Sequence, residues 1–138
     1  MMNVPFELAG VVALLAAVIH GGVGEAVVVS KLRTEALAPS RFGGPKMTML
    51  MIRVTWHIAT IAFAVIGTAL AVCAPADPGG ACAGVGRIAA ISFTGFAGLA
   101  MGLGLAAGGR RFPSLLRRHP GPVALALVAA LAWWGSLA

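Results

Sequence analysis

Four side chains could do chemistry inside this otherwise apolar sequence: His20, Glu25, Arg53 and His57. His20 and Glu25 belong to the stretch Val18-Ile19-His20-Gly21-Gly22-Val23-Gly24-Glu25-Ala26, which interrupts the apolar run 8–29. Arg53 and His57 share one face of the next apolar run, with Thr60, Ala64 and Thr68. Ionisable groups inside apolar segments are costly and mark ion sites or proton relays. Two imidazoles and a carboxylate are also a ligand set for a divalent transition metal such as zinc or non-haem iron. His20 and His57 on neighbouring helices could instead supply two axial ligands to haem b. The structural alternative gives the same residues no chemistry. Glu25 then takes Arg53 as its charge partner, and the histidines bond hydroxyls or carbonyls to hold helices together.

Depth permits a meeting. At about 1.5 Å per residue, His20 lies about 15 Å and Glu25 about 7–8 Å in from Ser30, and His57 about 10 Å in from Leu50. Angle opposes it, because positions five apart on a regular helix differ by about 140°. Gly21, Gly22 and Gly24 offer a way out. A π-bulge in that stretch brings residues i and i+5 into register. A straight first helix would point Glu25 away from the partner of His20.

The elements that must position these residues follow from composition. Of 138 residues, 59% are apolar and 10% charged, and the mean hydropathy is +0.96. A soluble domain carries about 25% charged residues. A bilayer core needs about 20 apolar residues per helix, which predicts helices over roughly 6–30, 47–73, 87–108 and 122–137. The expected fold is all-α: a polytopic four-transmembrane-helix bundle forming one domain, 1–138. The first run lacks a basic leader and is too long for a signal peptide, so it should insert as a helix and stay. It is expected to continue through 30–37 until Pro39 ends it.

The net charge of +6 does not indicate nucleic acid. Lys31, Arg33, Arg41, Lys46 and Arg53 lie beside the first inter-helix loop, and Arg110, Arg111, Arg117 and Arg118 lie in the third. Arg87 falls to the second. This asymmetry predicts a multi-pass protein of a bacterial-type plasma membrane, with basic loops 31–46 and 110–119 cytoplasmic and both termini outside. Anionic lipid head groups suit those loops, Trp56 fits an inner aromatic anchor and Trp133 with Trp134 an outer one. His119 reads as a solvated loop residue.

Cys73 and Cys82, the only cysteines, bracket a turn-forming loop on the expected oxidising side and are a disulfide candidate. Gly98 with Gly102, and Gly104 with Gly108, are small-xxx-small pairs that allow close helix contact within the bundle, in a homo-oligomer or in a larger membrane complex. The six methionines, including Met47, Met49 and Met51, suit a soft cation but read more simply as apolar filler. Length, helix count and an acidic residue in the first helix are similar to those of small multidrug-resistance transporters. The chain has no tyrosine, however, and lacks that family's aromatic pattern, so no family is assigned. No catalytic set emerges. The sequence supports a small membrane protein whose cluster binds a cation or relays protons, with a non-catalytic accessory subunit as the alternative and a haem-binding redox protein as a second one.

Overall fold

The computed structural model describes residues 2–41, 43–75, 80–108 and 120–137. The basic stretch 110–119, including His119, lies outside the described residues. The architecture is all-helical. Helix α1 (Val4–Val18) passes through a π-helical turn (Ile19–Val23) into the short α2 (Gly24–Val27). Two 3-10 turns, Val29–Lys31 and Thr34–Ala36, lead to α3 (Pro45–Cys73); α4 (Ala81–Gly108) and α5 (Gly121–Leu137) follow. Three spans are long and apolar enough to cross a membrane: Val4–Lys31, Pro45–Cys73 and Ala81–Ala106. The fourth apolar helix, Gly121–Leu137, is shorter.

Two boundaries differ from the sequence reading. The first span does not continue as α-helix to Pro39. It ends at Val27, where Val28 turns to φ −113°, ψ −67° and the chain is extended at Leu32. Three consecutive β-branched valines, Val27 to Val29, weaken the helix there. Ser30 Oγ donates to the Ala26 carbonyl and satisfies one of the freed acceptors. Helix α4 starts at Ala81 rather than near residue 87, which puts Arg87 inside the helix. The disulfide between Cys73 and Cys82 holds that first turn, with Cα atoms 5.4 Å apart.

Helix α1 packs between α3 and α5, and α4 packs chiefly on α5. Small residues make this possible. Ala9, Ala13 and Ala17, spaced by four, are all buried, so one stripe of α1 presents almost no side-chain bulk. At its centre a Cβ on Gly10 would lie 2.9 Å from the Gly67 carbonyl oxygen of α3, so the two backbones are in contact. Asn3 closes the N-terminal end. Its Oδ1 accepts from Phe6 N–H at 3.1 Å, and its Nδ2 donates to the Gly135 carbonyl at 2.9 Å. Its backbone N–H donates to the Ala74 carbonyl at 2.7 Å. One residue thus caps α1 and binds the ends of α3 and α5 to it. Phe6 fills the space beside Gly86 and Gly135, where any Cβ would overlap its ring. Midway along, Phe63 of α3 meets Phe93 and Phe96 of α4 at centroid distances of 5.5 and 5.4 Å.

Candidate functional site

The first helix is not straight where its glycines cluster. The Gly24 N–H donates to the Ile19 carbonyl, five residues back, which defines the π turn. The widened turn directs both His20 and Glu25 at α3, at different points along it. His20 reaches Trp56, Thr60 and Phe63. Glu25 reaches His57.

Two of the glycines also let the segment approach α3. A Cβ on Gly21 would lie 2.6 Å from Thr60 Cγ2, and one on Gly24 2.5 Å from Trp56 Cζ2. Gly22 faces open space. The glycines therefore serve packing at positions 21 and 24, beside the distortion they permit.

The His20 imidazole lies stacked on the Trp56 indole, with centroids 4.1 Å apart and planes at 14°. Phe63 meets its edge at 5.5 Å. Trp56 Nε1 donates to the His20 backbone carbonyl at 3.0 Å, so the indole holds both ring and main chain of the π turn. Trp56 was expected to be an interfacial anchor. Its hydrogen bond and stacking also make it part of the site, a role whose one sequence signal was its place one residue before His57.

The bonds of Thr60 bear on the His20 tautomer. Thr60 Oγ1 donates its one hydrogen to the Trp56 carbonyl at 3.2 Å. It must then accept from His20 Nδ1–H, 2.9 Å away. In the neutral ring the lone pair falls on Nε2, which has no hydrogen-bond partner among the described residues. Beside it a lateral groove of about 460 Å³ is lined by His20, Met51, Ile52, Thr55, Trp56 and Ala59.

On the other flank of α3, His57 Nε2 lies 3.7 Å from Glu25 Oε2. That separation is an ion-pair contact and too long for a hydrogen bond. The His57 side chain is half exposed, and that of Glu25 is 30% exposed. Glu25 Oε2 itself is buried and unpaired. Arg53 is exposed, and no ion pair to Glu25 within 4.0 Å forms among the described residues. The two histidines diverge, because His57 follows Trp56 by one residue, about 100° around α3. Among the described residues no three His, Cys, Asp or Glu side chains gather closely enough to hold a metal ion.

Beyond Gly86, glycines in the later part of α4 lie open. A Cβ added at Gly95, Gly98 or Gly102 would meet nothing within 4 Å. Comparison of the chain with protein-family models, with curated proteins and with solved structures found no match.

Proposed function

We propose that this chain is a four-span protein of a bacterial-type plasma membrane that translocates protons through its Glu25–His57 pair. Both termini lie outside in this reading, and the basic loops are cytoplasmic. The observation that carries it is the 3.7 Å approach of His57 Nε2 to a Glu25 oxygen that is buried and without a hydrogen bond. In a bilayer the pair is neutral overall when it holds one proton, either on His57 or on Glu25. Losing it leaves a bare carboxylate, and gaining another leaves a bare imidazolium, each costly away from water. In this reading protons pass one at a time through the pair, taken up by one group and released by the other.

The test is proton flux into liposomes holding the purified chain and a pH-sensitive dye, driven by a potassium gradient with valinomycin. Wild-type flux should exceed that of empty liposomes and fall at least tenfold in Glu25→Gln and in His57→Ala. Glu35→Gln, outside the pair, should keep it. Wild-type flux no greater than that of empty liposomes, or full flux in Glu25→Gln, removes the reading.

A second reading, an accessory subunit of a larger membrane complex, draws on one observation: the open surface at Gly95, Gly98 and Gly102. Cysteines placed at Leu99 or Leu103, both exposed, would crosslink to a different protein in native membranes if that reading holds.

A further inference from the structure

His20 takes no part in the Glu25–His57 pair, yet it is the most elaborately held side chain in the molecule. Its ring is fixed on one face by Trp56, at one edge by Phe63 and at Nδ1 by Thr60. Each contact orients the imidazole, and together they leave one atom unused. That atom is Nε2, an acceptor in the neutral tautomer that carries its hydrogen on Nδ1 toward Thr60. Structural histidines bond through both nitrogens or turn the idle one to water. This one lines a groove whose other walls are Met51, Ile52, Thr55, Trp56 and Ala59.

The chemistry of that groove is narrow. Thr55, its one hydroxyl-bearing residue, has its hydrogen committed to the Met51 carbonyl at 2.8 Å. The walls are otherwise a thioether, an aliphatic chain, a methyl and an indole. The open groove therefore has His20 as its one lining side chain with spare hydrogen-bonding capacity, among otherwise apolar walls and beside an aromatic plane. A metal ion would find one ligand there and is not retained. An acyl chain would fill the slot and leave Nε2 unused. The matching ligand is a lipid-soluble ring bearing a hydroxyl, which donates to Nε2 and lies against apolar and aromatic walls.

We infer that the groove beside His20 binds a membrane-soluble phenolic ring of the quinol type, with the ring hydroxyl donating to His20 Nε2. Thr60 and Trp56 are positioning residues: they fix the tautomer and the ring plane but do not meet the ligand's hydroxyl. The inference concerns binding alone. It stands on the Trp56–Phe63 flank of α3, apart from the Glu25–His57 pair, and neither depends on the other.

Trp56 provides the readout. Trp133 and Trp134, the other two of the chain's three tryptophans, are exposed. Replacing both with Phe leaves Trp56 as the sole indole in the full chain. In lipid nanodiscs, titration with decylubiquinol should quench Trp56 fluorescence saturably. The dimethyl ether of the same quinol, which has no hydroxyl to donate, should bind at least tenfold more weakly. His20→Ala should weaken decylubiquinol to the level of the ether. Ala59→Leu, which fills the slot without touching the His20 bonds, should do the same and covers the case in which His20→Ala fails to fold. A long-chain alkylphenol separates the sources: affinity equal to the quinol assigns any phenolic hydroxyl, and weaker affinity assigns the quinol ring. Quenching that rises linearly without saturation, or ether binding equal to quinol binding, overturns the inference.

Discussion

At the disulfide end of the bundle every polar group of Asn3 is bonded, the Phe6 ring is 1% exposed, and the backbones of α1 and α3 touch at Gly10 and Gly67. Toward the other end the first span widens into a π turn, still close against α3, and the polar side chains His20, Glu25 and His57 gather there, with one Glu25 oxygen left without a hydrogen bond. Glycine serves differently on different helices, since Gly21 and Gly24 also pack on α3. Gly10 and Gly67 close a contact, whereas Gly98 and Gly102 on α4 open onto empty space. The difference assigns stability and chemistry to opposite ends. The tight end supplies the packing that lets the other tolerate a distorted helix and an unpaired carboxylate oxygen, as sites on rigid scaffolds generally do.

The comparison can be broken most forcefully at Gly10. Gly10→Leu should cost about 3 kcal/mol or more, because backbone stands where the side chain would go. Thermal unfolding in detergent should show the loss, and an unchanged midpoint would mean the α1–α3 contact is not as close as described. Next in size, Cys73→Ser with Cys82→Ser should cost about 2–3 kcal/mol through the released loop. A reductant should lower the wild-type midpoint and leave the double variant unmoved. Asn3→Ala should cost about 1–2 kcal/mol, since a cap and an inter-helix bond vanish together. Hydrogen exchange should rise at the N–H of Phe6 while that of Thr60 is unaffected.

Smaller effects sharpen the contrast at the other end. Trp56→Phe keeps an aromatic face for His20 but removes the donor to its carbonyl. A loss of about 1 kcal/mol is expected, together with faster exchange across the π turn. Gly98→Ala should be the mildest and opposite in sign. With open space around it and a regular helix on both sides, alanine should stabilise by about 0.5–1 kcal/mol. Destabilisation there would show that another helix packs on the α4 glycines.

Much of this was legible before any coordinates. The apolar runs, the turn residues at Pro39 and Gly43-Gly44-Pro45 and the bracketing cysteines mark the helices and their junctions. A π turn was one of two outcomes the sequence allowed, given the five-residue spacing of His20 and Glu25 and the glycines between them; the other was a regular helix with Glu25 facing a different neighbour. Less legible was the rest of the site. Nothing local marks a tryptophan that stacks on a histidine, so the contact of Trp56 with His20 was not legible. Nor could the identity of Glu25's neighbour be read, because Arg53 and His57 share a face of α3 and differ only in reach and depth.

The division has a physical basis. Helix formation and membrane preference depend on hydrogen bonds within one segment and on the hydropathy of that segment, so sequence alone determined them. The presence of costly ionisable groups in apolar runs was determined in the same way. Azimuth is different. Which side chain faces which partner depends on how closely α1 can approach α3, and that distance is set by Gly10, Gly21, Gly24 and Gly67 against neighbours from another helix. Only the tertiary structure decided that His20 meets Thr60 and Trp56 while Glu25 meets His57. Only it decided which glycines pack and which lie open.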